Sequence, residues 1–522
     1  MAQDQLPAPT PATRSMRSRV VSSLFAPLDL AALAYFRIVF GLVVCWESWR
    51  YFKLGWIDAF FVDPPFLFTY WPFHFVDPWP GWGMKAHFLV LGAAGILVAL
   101  GAFYRASASV LFVAMTYFFL LDKANYLNHL YLVCLLAFLM IFLPAHRTWS
   151  VDVRRKPSLR ADTAPAWTLW LLRFQLALPY FFGGIAKLNP DWLKGEPLRM
   201  WLAEDVDFPL IGRFFTEEPV VRLMTYGALA LDLLVVLFLL ASRKTRPFAY
   251  AAAVAFHFMN SRLFNIGIFP WLMIAGTAIF FPPDTPRRIL EDLRRRPGSL
   301  RSIAWWIGMA GGAWLGWKLP TTFTLPQVAI GGLGIAILCW SLAELLRPLP
   351  AVPVASEPQQ ENDRATGPAL RPPRPVLALL VLWVAVQVLL PFRHLAVPGN
   401  VYWTEEGQRF SWMMLVRSKE GRVIYEVTDV SRGQTWELFP ENYLTRRQSL
   451  TLRDKPDMIV QFAHYIQDRL REDGYPEVEI RAITAISLNN KPERPVIDRN
   501  VDLTKVKVPW LGKADWITAE EP

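Results

Sequence analysis

The chain has 522 residues, 53% hydrophobic and only 19% charged, with 23 Trp, 36 Phe and a net charge of +10. Repeated apolar runs of about 17–20 residues match the length that crosses a bilayer, which excludes a single soluble domain and predicts a multipass α-helical membrane protein. The positive charge does not imply nucleic acid as a partner, because its arginines fall mostly in short loops between apolar runs, where they set orientation.

Residues 1 to 24 form a polar tail with Arg14, Arg17 and Arg19 and no cleavable signal pattern, so the first apolar run is read as an uncleaved anchor. The apolar runs predict eleven helices, near 28–50, 87–103, 106–121, 129–145, 166–187, 222–241, 247–260, 265–282, 302–318, 327–346 and 375–392. The first ten make a polytopic domain over 25–346, a Pro-rich linker covers 347–374, and 375–392 is the last transmembrane helix. Basic loops at 146–160, 243–246 and 287–301 place those segments, the tail and the linker in the cytoplasm. An odd helix count then puts residues 393–522 outside. That segment has strand-like runs at 422–427 and 477–487 and an amphipathic helix near 456–472, as in a small extracytoplasmic α+β or β-sandwich-like domain. Cys45, Cys134 and Cys339 all lie in apolar runs, so neither a disulfide framework nor a thiolate metal site is expected.

Lys187 ends the fifth apolar run. An ammonium in hydrocarbon costs roughly 2.5–3.5 kcal/mol on insertion scales, so it must snorkel, pair, or give up its proton and become a base. On the charge-derived topology Asn128 and His129 open the fourth helix, and His257, Asn260 and Ser261 close the seventh, at the depth of Lys187. Gly183 and Gly184 permit close helix approach, Asn189-Pro190 ends the helix after the lysine, and aromatic residues flank all three clusters. A dry aromatic chamber opening to the outer face is the expectation. Each residue also has a structural reading: a snorkelling lysine, an N-capping Asn128, a hydrogen-bonded His129 or His257, and a helix stop at Asn260-Ser261. Asp122 and Lys123 read as a solvated interface pair. With no H-x-x-H, H-E-x-x-H or paired carboxylates, no metal site is expected.

The runs Leu120-Leu-Asp-Lys-Ala-Asn-Tyr-Leu-Asn-His129, Gly184-Ile-Ala-Lys187-Leu-Asn-Pro-Asp-Trp192 and Phe256-His-Phe-Met-Asn-Ser-Arg-Leu-Phe264 resemble vitamin K-dependent gamma-carboxylase. So do Ser411-Trp-Met-Met414 and Ile497-Asp-Arg-Asn-Val-Asp502 in the soluble part, and the wider resemblance is to the horizontally transferred transmembrane domain family. The resemblance implies a carboxylase, a carbon–carbon lyase, coupled to quinol epoxidation. A vitamin K hydroquinone or menaquinol reacts with O2, the strong base so generated removes a glutamate γ-proton, and the carbanion takes up CO2. It implies Lys187 and His129 as catalytic residues, the lysine as the free amine that starts oxygenation. Asn128, His257, Asn260 and Ser261 would bind the quinone. The implied partners are a glutamate-containing protein or peptide, the lipid-soluble quinol and the bilayer. Unlike the animal carboxylases, which tie their membrane and soluble parts by a disulfide, this chain has no cysteine in its soluble domain. Its compactness suggests a bacterial plasma membrane. Two alternatives remain, a quinol epoxidase without carboxylation and a non-catalytic quinone-binding or assembly protein.

Overall fold

The computed structural model describes residues 16–209, 211–318, 324–346, 373–509 and 512–520. Nearly all of the expected linker 347–374, and residues 1–15 of the tail, lie outside these. Helix α1 (Met16–Phe25) leads into a short antiparallel ribbon of β1 (Pro27–Asp29) and β2 (Thr163–Pro165). All eleven expected apolar helices form. They are α2 (Ala31–Lys53), α3 (Gly83–Leu100), α4 (Tyr104–Leu121), α5 (Asn128–Phe142), α6 (Trp167–Ala186), α7 (Glu218–Ala241), α8 (Thr245–Leu263) and α9 (Phe269–Thr277), then, beyond the charged α10 (Thr285–Arg295), α11 (Leu300–Lys318), α12 (Leu325–Leu345) and α13 (Arg374–Leu389). The basic segment expected as a loop at 287–301 is thus largely helical, with Ile289 and Asp292 turned inward, Arg294, Arg295 and Arg296 exposed, and Arg301 buried against Asp292.

Among the described residues seven helices are long and apolar enough to cross a membrane: α2, α3, α4, α6, α7, α12 and the stretch Arg374–Ala396. The protein is an integral membrane protein. Helix α5, at 15 residues, and the stretch Phe269–Phe280 are apolar but shorter. Helix α2 is the hub, with Phe36, Phe40, Val43 and Val44 all buried. It meets α3 almost backbone to backbone, since a Cβ on Gly41 would lie 2.4 Å from the Gly95 carbonyl oxygen. Small residues make such approaches possible where lipid supplies no hydrophobic drive between helices.

After α13, the C-terminal domain takes the α+β form. Strands β3 (Lys419–Asp429), β4 (Gln434–Leu438) and β5 (Val478–Leu488) make one antiparallel sheet in the order β4-β3-β5. Val423, Tyr425 and Val427 alternate onto the buried face, as a period of two requires. They meet Ile459, Phe462 and Ile466 on the amphipathic α15 (Pro456–Glu472), which follows α14 (Arg446–Asp454).

The domain is seated on one end of the bundle by buried polar contacts. Asp457 accepts from Lys123 at 2.8 Å and from Arg409 at 2.8 Å. Gln448 donates to the Phe66 carbonyl at 2.7 Å and to Asp122 at 3.2 Å, while Asp122 also takes the Ala124 backbone N–H. Asp122 and Lys123 are therefore not a solvated pair: Asp122 is buried, Lys123 is mostly covered, and each bonds the C-terminal domain. Burial pushes the Asp122 carboxyl up from 3.8 to about 7, against the opposing pull of hydrogen bonds from Ala124, Gln448 and Phe68.

Candidate functional site

Between α5, α6, α7, α8 and α9 lies a cavity of about 560 Å³ whose walls are mostly apolar. Helix α6 ends at Ala186, so Lys187 occupies its C-cap. The chain then turns because Asn189 caps the next short helix, accepting from the Trp192 N–H at 2.9 Å and donating to the Ala186 carbonyl at 2.8 Å. Lys187 is turned inward and 6% exposed. Its Nζ lies 2.7 Å from Asp232 Oδ2, 3.3 Å from the Gly183 carbonyl oxygen and 5.2 Å from the Trp192 ring centre. Of the three fates open to an intramembrane lysine, the geometry is that of the paired one. The two glycines before it allow this: a Cβ on Gly184 would stand 2.6 Å from Leu233, and one on Gly183 3.3 Å from Asp232 Oδ2.

Asp232 was not among the residues singled out in the sequence. It is the single charged residue between Arg222 and Arg243, set in an otherwise apolar run. A carboxylate there must find a partner, which is the signal that would have found it.

His129, 5% exposed, stacks on Phe269 with ring centres 6.1 Å apart. His257 meets the same ring edge-on at 5.7 Å, so the two imidazoles flank one phenyl ring. His257 Nε2 bonds Tyr180 Oη at 2.7 Å, and Tyr180 reaches Thr277 at 3.1 Å. His257 Nδ1 is buried and has no hydrogen-bond partner among the described residues. Asn128 is held by its Oδ1, which accepts from Tyr126 at 2.9 Å; the Tyr126 hydroxyl accepts in turn from the Phe410 N–H at 2.6 Å. Behind His129, Gly267 has φ +58, and a Cβ there would lie 3.4 Å from His129 Nε2 and 3.2 Å from Arg50 Nη1. Arg50 is tied at 2.5 Å to the buried Glu47.

Asn128, His129, Lys187, His257 and Asn260 all line the cavity. Ser261 does not: its hydroxyl donates back to the Phe258 carbonyl at 2.7 Å, a helix-end contact. The C-terminal domain side supplies part of the lining through Met413, Met414 and Leu415. Their loop holds Phe410, Trp412 and Leu415 at positive φ. Each such residue costs about 1–3 kcal/mol, a strain that persists only when surrounding contacts over-determine it. Trp412, in the bundle core against Tyr131, supplies one of these contacts, and Tyr402 donates to the Ala186 carbonyl beside the lysine at 2.7 Å.

Two helices that begin at the cavity are short for a membrane span. At 1.5 Å per residue α5 spans about 22 Å, against a hydrocarbon core of about 30 Å. Irregular backbone at membrane depth persists only where protein buries it or a cavity borders it. The segments before α5 and α9 have both.

Residues 25–285, half of the chain, match the HTTM domain family. Residues 373–521 match the lumenal domain of vitamin K-dependent gamma-carboxylase. No solved structure matches the chain. With one family covering the helices that build the cavity and the other the domain that roofs it, the chain belongs to the HTTM family and is a gamma-carboxylase-like protein.

Proposed function

We propose that the protein couples oxygenation of a lipid-soluble hydroquinone, vitamin K hydroquinone or menaquinol, to addition of CO2 to glutamate in a protein or peptide. The observation that carries this reading is the Lys187–Asp232 pair on the wall of an apolar cavity shared with His129 and His257. Whether drawn as ammonium and carboxylate or as amine and carboxylic acid, the pair holds the same number of protons. It can take up one more. A hydroquinone O–H facing Lys187 would break, its proton passing to the pair and the negative charge staying on the quinol oxygen. Asn128 and His129 would orient that oxygen and stabilise its charge with hydrogen bonds. His257, with Nε2 engaged by Tyr180, leaves Nδ1 for a second polar atom of the ring. The quinol and O2 together supply the strong base that carboxylation needs.

The cavity suits a substrate arriving from lipid. Leu223, 73% exposed, and the small, exposed residues Gly227, Ala252 and Ala255 line it from α7 and α8, so that an apolar tail could enter between these two helices. The coupled reaction is favoured over bare epoxidation because the domain that would hold a peptide also lines the cavity through Met413 to Leu415. That domain would face outside, in a bacterial plasma membrane, with the basic loops in the cytoplasm.

The test is purified protein with reduced naphthoquinone, O2, bicarbonate and a glutamate-rich peptide, followed for quinone epoxide and for a peptide mass gain of one CO2. Both products are expected. Epoxide alone would make it an uncoupled epoxidase, and quinone binding with neither product would overturn the enzymatic reading.

A further inference from the structure

A second cleft lies at the far end of the same helices. Arg246 opens α8 and Asn260, on the large cavity, stands fourteen residues further on, about 21 Å along the helix axis. The cleft, of about 70 Å³, is walled by Arg243, Arg246, Thr285, Arg288, Trp340 and Glu344, from the α7–α8 turn, the start of α10 and the end of α12. Its charges do not balance. Glu344 accepts from Arg288 and, at 2.6 Å, from Arg301, and lies 3.6 Å from Arg243. Asp292 takes Arg301 at 2.5 Å and the Trp340 indole N–H at 3.0 Å. Arg246 donates to the Leu239 carbonyl and pairs with no carboxylate among the described residues. Nor does Arg173, which donates at 2.9 Å to the carbonyl of Phe281 on the cleft wall. On the cleft walls themselves three guanidiniums, Arg243, Arg246 and Arg288, meet one carboxylate, Glu344, an arrangement that an anion would relieve.

A separate observation concerns a residue on the same cleft wall. Thr285 is 4% exposed and its hydroxyl has no hydrogen-bond partner among the described residues, although buried hydroxyls are almost always paired. Thr285 is also the first residue of the 11-residue α10, whose positive dipole end lies there.

We propose that this cleft binds a phosphate group, presented by an anionic lipid headgroup or as the free ion. The cleft exceeds twice the ~30 Å³ that a water molecule occupies in the liquid, which is room for one tetrahedral oxyanion. Arg243, Arg246 and Arg288 would meet its oxygens with N–H groups, and Thr285 would donate its hydroxyl. The site is remote from the large cavity and stands whether or not the carboxylase reading does.

The test is thermal unfolding of the delipidated full chain in detergent, with phosphatidylglycerol, phosphatidylcholine or inorganic phosphate added. Phosphatidylglycerol should raise Tm where phosphatidylcholine does not, and the rise should fall by at least half in Arg246→Gln and in Thr285→Val. A rise with phosphatidylglycerol alone assigns the headgroup, and an equal rise with inorganic phosphate assigns the free ion. No rise with either, an equal response to both lipids without one to phosphate, or an undiminished rise in both variants would overturn the proposal.

Discussion

Lys187 and Asp232 define what single residues contribute to this molecule. Each is buried, and the 2.7 Å contact makes each the other's neutralising partner. Removing one member of such a pair typically costs about 3–5 kcal/mol, because the other charge stays behind in low dielectric. Lys187→Ala should therefore lose both stability and turnover, and loss of activity alone would not identify a base. Lys187→Arg separates the roles. A guanidinium keeps its proton at every accessible pH and can still pair with Asp232, so the fold should survive. If the lysine is the base, epoxide formation in this variant should fall by about 10²–10⁴-fold, the usual worth of a positioned acid–base group. Near-normal epoxide formation would reduce Lys187 to a structural cation. Asp232→Asn should lower turnover as well, since the pair would lose its second proton-holding site.

At the scale of elements, the seat of the C-terminal domain contains its own pH sensor. The Asp122 carboxyl, on the segment after α4, is pushed by burial from 3.8 to about 7 in the folded protein. Between those values the folded state binds the proton that the unfolded state releases, so the contribution of this group to stability falls as pH rises from about 4 to 7. Asn at this position mimics the protonated acid. Asp122→Asn should match the parent protein near pH 4 and exceed it in Tm at pH 8, with the gap opening between; a gap independent of pH would refute the assignment. The helices themselves were legible in the sequence, because apolar length is nearly all that a span requires. Asn128, His129, Lys187 and His257 were legible as polar residues at span ends and through family resemblance. Asp232 was hidden by the reverse circumstance, a lone carboxylate in a run otherwise apolar enough to hide it. The roof loop was illegible too: Phe410, Trp412 and Leu415 carry no sequence mark of positive φ, and only the docking of two domains holds them there. Segment 287–301 shows in the sequence only as a basic stretch between apolar runs, and helix α10 depends on contacts the sequence does not mark, Asp292 turning inward to Arg301 and Trp340.

For the whole molecule the open quantity is orientation, and charge and length bear on it together. Among the described residues the seven helices that reach spanning length, and the eleven apolar helices in all, are both odd in number, so either count would send residues 393–522 to the side opposite the N-terminus. The two counts disagree about the loops. If the short α5 did not cross, the basic segments 146–160 and 243–246, kept on one side by α6 and α7, would both fall on the side opposite the basic N-terminal tail, against the positive-inside rule. Counting α5 as crossing removes the conflict, and its shortfall of about 8 Å is made up at the cavity, where Tyr126, Asn128 and the roof loop cover its start. A single cysteine at exposed Asp473 should then react with an impermeant maleimide in intact cells, and one at exposed Lys156 only after lysis. The native Cys45, Cys134 and Cys339 all lie within helices of the bundle and should give little background. Labelling of Lys156→Cys from outside would mean that α5 turns back without crossing. Labelling of both sites from outside, with the C-terminal domain still reactive, would leave the cavity roof facing the secretory side but require a different path for α5 and α6.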